Sequence, residues 1–205
     1  MKYGELNLGQ VEAVVNKLGG MEGVKRFLSC ETVIQVAEHK FKTWKTIKLG
    51  TGLKTADDFR EVLKDNGFKV SGWANDILGK SAFTVATEGI EVDLVKVTVA
   101  ELGFKKGARR DQIYERAKEL GLELCPPEVG PQLRLQYHDQ PNGEWLFIGM
   151  EPIADSVGDL NVFYVKRNDS ELWLNSDWSN PGNVWNPDDQ WVFRLPRNSL
   201  YFLPV

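Results

Sequence analysis

The chain has 205 residues, 42% of them hydrophobic and 26% charged, with a net charge of −4. That is enough for one good core plus a small appendage, and it excludes a disordered chain or a protein built around phosphate neutralisation. No apolar run approaches the roughly 18 residues of a membrane span. Met1 to Asn7 lacks the apolar segment of a secretory signal, so a cytoplasmic location is expected, with export by a route needing no N-terminal signal left open.

Asn7 reads as the N-cap of a helix with Leu8, Val11, Val14, Val15 and Leu18 on one face, stopped at Gly19-Gly20. A second short helix runs from Met21 to Leu28, with Met21, Val24, Phe27 and Leu28 on one side. Each is too short to stand alone in water, so the pair must pack on the body or on another copy through residues 1–30. Lys17, Lys25 and Arg26 permit a DNA-reading drawing of the pair, but scattered cations are an ordinary solvated face. The segment from Thr32 to Ala37 fits a helix or a strand.

From Lys40 to Lys54, lysines interleave with Phe41, Trp44 and Ile47 and run into Gly50-Thr51-Gly52. A nucleic-acid-associated role is one alternative for this stretch. The glycine turn lacks P-loop spacing, and an amphipathic strand with a lysine outer face is the plainer reading. Thr55 and Asp58 form a capping pair opening a helix through Phe59, Val62 and Leu63. Ser71 caps a further helix with Trp73, Ile77 and Leu78 inward. Glu91 to Val99 reads as a strand, and Ile113, Tyr114, Ala117 and Leu120 mark another helix.

After Cys125-Pro126-Pro127 the texture turns strand-like. Leu133 to Tyr137 alternates, Pro141-Asn142-Gly143 reads as a hairpin turn, and Glu144 to Ile148 returns. Asn161 to Val165 and Glu171 to Leu174 form a second hairpin around Asn168-Asp169. The expectation is an α+β protein with a helical appendage over residues 1–40. Residues 41–205 would form a domain with a helix-rich front and an antiparallel C-terminal sheet.

The chemical inventory is thin. Cys30 and Cys125 make no metal-ligand spacing and read as reduced structural thiols. His39 and His138 are the only histidines, and Ser81, Ser156 and Ser176 sit in no nucleophile elbow. Glu151, Asp155 and Asp159 share a loop that could fold around calcium, but the EF-hand pattern is absent. A metal-dependent or hydrolytic enzyme using Asp155, Asp159 and His138 is therefore an alternative only. No catalytic residue, metal or cofactor is assigned.

The stretch from Asn175 to Gln190 differs from the rest in its density of Asn, Asp, Ser, Pro, Gly and Trp. Tryptophan supplies rigid contact area and asparagine adaptable hydrogen bonding, which binding loops use. The same asparagines also suit turns, and the tryptophans also suit a core. The segment Trp173-Leu174-Asn175, followed by Asn180-Pro181-Gly182-Asn183-Val184-Trp185-Asn186-Pro187-Asp188-Asp189-Gln190-Trp191-Val192-Phe193-Arg194-Leu195, resembles the variable region of target proteins of diversity-generating retroelements. The body from Thr43 to Arg194 also resembles proteins of uncultivated small-genome bacteria.

The first resemblance implies a C-type-lectin-like fold that displays varied side chains to a protein or other macromolecular ligand. The implied ligand-binding positions are Asn175, Ser176, Asp177, Ser179, Asn180, Asn183, Asn186, Asp188 and Asp189. Trp178 and Trp185 join them from the reading of the loop itself. Trp191, Phe193 and Arg194 would form the fixed strand that closes the cassette.

Overall fold

The computed structural model describes residues 7–29, 32–36, 40–196 and 200–204. Cys30 and His39 lie outside the described residues. The chain divides into two compact units, residues 1–39 with 197–205, and residues 40–196.

The first unit holds α1 (Leu8–Lys17), α2 (Gly20–Leu28) and the antiparallel pair of β1 (Thr32–Val36) with β12 (Leu200–Pro204). Asn7 caps α1 through a reciprocal pair with Gln10. The ambiguous segment after α2 is thus a strand. Leu8, Met21 and Leu28 are exposed.

In the second unit, the expected elements form where capping and periodicity agree. Among them are β2 (Lys45–Leu49), α3 (Ala56–Asp65), α4 (Gly72–Leu78) and β4 (Ile90–Thr98), while the short β3 (Lys69–Val70) between the two helices was not anticipated. Thr55 and Asp58 cap α3, and Ser71 caps α4. Ile77 and Leu78 are buried, but Trp73, expected inward, is half-exposed. Next come β5 (Ala108–Arg109), α5 (Arg110–Glu119), α6 (Val129–Gln136), β6 (Trp145–Ile148) and β7 (Ile153–Ala154). The chain continues with β8 (Leu160–Asn168), β9 (Glu171–Trp178), β10 (Val184–Trp185) and β11 (Gln190–Leu195).

Two expectations are corrected. The alternating run Leu133 to Tyr137 is helical, as α6, and the turn at Pro141-Asn142-Gly143 joins a helix to a strand. An alternating run this short does not separate helix from strand. Here a longer-range pattern decides, because Glu128, Gln132 and Gln136, four residues apart, line one side of the helix. Gln136 pairs with both backbone groups of Lys48, at 2.9 and 2.8 Å, and so caps the outer edge of β2. The buried carboxylate of Glu128 accepts the N–H groups of Gly50 and Ala86, both at 2.8 Å.

The sheet is also not a C-terminal antiparallel meander. It runs β2-β4-β11-β6-β8-β9-β3, with β7 on β8, and it is mixed: β11 lies parallel to β6, and β3 parallel to β9. The last strand of the unit therefore inserts between a strand from the N-terminal half and one from the C-terminal half. Trp191, Val192 and Phe193 on it are fully buried.

One face of β8 packs tightly below α6. A Cβ on Gly130 would lie 2.7 Å from the Phe163 side chain, so only glycine permits this approach. Arg134 of α6 is also fully buried. It donates to Gln140 Oε1 at 2.5 Å and to the Tyr137 carbonyl, and burial pulls its pKa down to about 10.

Candidate functional site

Side chains alternate along strands, so the β8–β9 register decides which residues share a face. The two-residue turn Asp169-Ser170, with Asp169 at φ 50°, sets that register. It places Lys166 opposite Trp173, Tyr164 opposite Asn175 and Val162 opposite Asp177. The neighbouring strands extend the first of these rows, with Trp145 of β6 opposite Lys166 and Lys69 of β3 opposite Trp173. A ladder of alternating lysine and indole therefore crosses four strands on one face.

The ladder is held by ring and cation contacts. Lys166 Nζ lies 4.6 Å from the Trp145 ring centroid and 5.8 Å from that of Trp173. Trp145 stacks on Tyr164 at 5.1 Å with an interplanar angle of 9°, and Trp173 Nε1 donates to Glu171 at 3.2 Å. Trp145 keeps 42% of its surface exposed, while Lys166, Trp173 and Asn175 are half-buried. Burial and the nearby Asp177 carboxylate push the Tyr164 phenol up to about 12.

The loop beyond β9 separates the sequence-predicted residues into three groups. Asn175, Ser176, Asp177 and Trp178 belong to β9 and not to a loop. Asn175 and Asp177 lie on the ladder face, whereas Ser176 points the other way and is buried. Burial raises the Asp177 pKa against an opposing hydrogen bond from Trp178 N–H. Asp189 is likewise raised, first by burial and then by Asp188 and Asp177, so these three carboxylates share a neighbourhood.

A second group supports the fold. Ser179 is fully buried and its Oγ accepts from Arg110 Nη1 at 2.9 Å. Asn180 accepts from Leu160 N–H and donates to Asp159, both at 3.0 Å. Trp185, named from the sequence as a contact residue, is 4% exposed. It packs on Trp191 at 5.1 Å and on Phe147 at 6.4 Å. Its strand β10 pairs with β5, and the Trp185 carbonyl lies 2.5 Å from where a Cβ on Gly107 would sit, at φ 87°.

The third group faces outward. Trp178 is 52% exposed, and its carbonyl accepts from Asn183 Nδ2 at 2.6 Å. Asn186 and Asp188 are exposed, and Asn186 N–H donates to Asp189 Oδ2 at 2.7 Å, which closes the turn before β11.

The alternative constellations do not assemble in the same way. Asp155 is buried and spends both oxygens on its own loop, accepting from Val157 N–H, Asp159 N–H and Asn161 Nδ2. His138 instead lies against the Phe68 ring. Among the described residues, no group of three or more His, Cys, Asp or Glu side chains converges to hold a metal. In the Lys40 to Lys54 stretch, Trp44 packs edge-on to Tyr137 at 5.2 Å, so it does not offer a free stacking platform. Burial raises the Cys125 thiol to about 12, which suits a structural role.

Sequence reasoning missed Trp145, Tyr164, Lys166 and Trp173 as site residues. The signal was the β8–β9 turn, which fixes what lies opposite what once it is placed at Asp169-Ser170, one residue beyond the Asn168-Asp169 expected from sequence. Among the described residues no helix is long and apolar enough to cross a membrane. Comparison of the chain with protein-family models, curated proteins and solved structures finds no match.

Proposed function

We propose that the unit from residue 40 to 196 is a non-enzymatic binding module of C-type-lectin-like character. Its contact surface would be the open face of β6, β8 and β9, continued by the outward residues of the loop before β11. The observation that carries this is the ladder of Trp145, Lys166 and Trp173, with Asn175 and Asp177 beside it. Large aromatics left partly exposed in a contiguous row are the usual core of an interface, and neighbouring amides and carboxylates form its rim. A sheet face is broad, which suits a macromolecular ligand. The lectin-like reading draws support from β11, which returns to pair with β4, the first long strand of the unit, while α5 and α6 lie between them in the chain. Asn175, Asp177, Asn183, Asn186, Asp188 and Asp189 are the positions at which diversified side chains would reach a ligand, with Trp178 as an undiversified contact beside them.

Binding to a panel of immobilised proteins and glycans tests the reading. A saturable partner of the native chain should be lost in Trp145→Ala/Trp173→Ala and kept in Lys105→Ala/Lys106→Ala. Retention by the first variant would sink the assignment of the face. The diversified part has its own test in the surrounding nucleotide sequence. It should hold a near-copy of the codons for Trp173 to Arg194, mismatched at adenines, beside a reverse transcriptase gene.

A further inference from the structure

A concave feature lies away from the loop, where α3, β3 and α4 meet. Arg60, Lys64 and Lys69 line a cleft of about 460 Å³ together with Asn75, Phe68 and Val70, and no carboxylate is among its lining residues. The local sequence explains the gathering. Arg60 and Lys64 lie one turn apart on α3, and the Asn66-Gly67 turn, with Gly67 at φ 76°, brings Lys69 back beside them.

A lysine in the last turn of a helix is an ordinary complement to the helix dipole, which accounts for Lys64. It does not account for Arg60, whose guanidinium is fixed by Asn75. Arg60 Nε donates to Asn75 Oδ1 at 2.6 Å and Nη2 to the Asn75 carbonyl at 2.8 Å. The acidic contacts of these cations are solvent-exposed. Asp57 meets Arg60 at 2.7 Å with 89% of its side chain exposed, and Glu171 meets Lys69 at 3.9 Å. Such pairs are weak and readily exchanged.

The Phe68 wall adds an independent observation. Its ring also carries the Arg134 guanidinium, 5.1 Å from the centroid, and the His138 ring at 5.4 Å. Arg134 is fully buried, its hydrogen-bond acceptors are neutral, and its Nε has no partner among the described residues. Three cations therefore line the cleft and a fourth, Arg134, lies against the ring of its Phe68 wall without being among the lining residues, in a protein of net charge −4. A buried cation without an acidic partner favours an anion nearby.

From this we infer that the cleft binds a small organic phosphate, with the oxyanion held by Lys64, Lys69 and Arg60 and the apolar part against Phe68 and Val70. The volume is that of a small-molecule site. The cleft shares Lys69 with the end of the ladder, but its phosphate binding is read from its own amides and without any partner of the ladder face.

The test is a titration of the full chain with inorganic phosphate and with pyrophosphate at constant ionic strength, followed by the backbone amide resonances of Phe68, Lys69 and Asn75. The expected result is saturable shifts, tighter for pyrophosphate, with affinity falling about tenfold or more in Lys64→Ala/Lys69→Ala, as loss of charge-assisted contacts implies. Lys105→Ala/Lys106→Ala should bind as the native chain does. The single variants Lys64→Gln and Lys69→Gln, both at exposed positions, keep the test decisive if the double variant melts early. Shifts that do not saturate, that sodium chloride reproduces, or that survive loss of both lysines would overturn the inference.

Discussion

The two faces of β8 and β9 use the same strand geometry for opposite ends. On one face Phe163, Val165 and Leu174 are fully buried, with α6 so close that position 130 accommodates only glycine. On the other, one residue along the chain, Tyr164, Lys166, Trp173, Asn175 and Asp177 form a graded surface that runs from the buried Tyr164 ring to the partly desolvated Asp177 carboxylate at its edge. The first face is packed for stability and the second is left partly wet. The side chains tell them apart more clearly than the backbone does, because a closed core has no use for lysine heads between indoles.

This contrast can be broken most sharply from the packed side. Phe163→Ala should cost about 3–5 kcal/mol, lowering the melting temperature by roughly 10 °C or more in a chain of this size, as thermal circular dichroism would show. Trp185→Ala should behave like a core truncation of similar size, although the residue sits in the loop singled out from sequence. Gly130→Ala should cost about 1–3 kcal/mol, since the new methyl must displace Phe163. A neutral outcome there would mean that α6 can shift away from the sheet.

On the open side, Trp178→Ala should change stability by no more than about 0.5 kcal/mol. Asp177→Asn should do the reverse of a destabilising change. The Asp177 pKa is raised by burial, so its protonated form favours the fold. That contribution is complete below the unfolded carboxylate value near 3.9 and is lost as pH rises through the folded value. The amide should therefore raise the melting temperature at pH 7 by roughly 2 °C and leave it unchanged at pH 3. A gain of equal size at both pH values would count against a titrating carboxylate.

How far the sequence anticipated this follows from which interactions are local. The Thr55–Asp58 capping pair and the Asn7 cap are short-range devices, and each lies where its residues indicate, whereas the hairpin turn expected at Asn168-Asp169 falls one residue later, at Asp169-Ser170. The helix α6 was hidden because its deciding contacts, from Glu128 and Gln136 to the β2 edge, cross about 80 residues of sequence. The insertion of β11 between β4 and β6 was hidden for the same reason. Within the loop, composition marked the right neighbourhood but could not separate Trp185, which fills the core beside Trp191, from Trp178, which does not. The ladder itself was readable only after the strands were known, since Trp145, Lys166 and Trp173 lie on three different strands and meet through register alone.

The account turns on the ladder being a contact surface and not a second core. Thermal melts of Trp145→Ala/Trp173→Ala and Trp185→Ala, run side by side, test that most directly. The account predicts that removing two ladder indoles lowers the melting temperature by no more than about 4 °C, the scale of roughly 1 kcal/mol of surface stacking. Removing the single buried Trp185 should lower it by roughly 10 °C. A ladder variant that melts as low as Trp185→Ala would contradict the account.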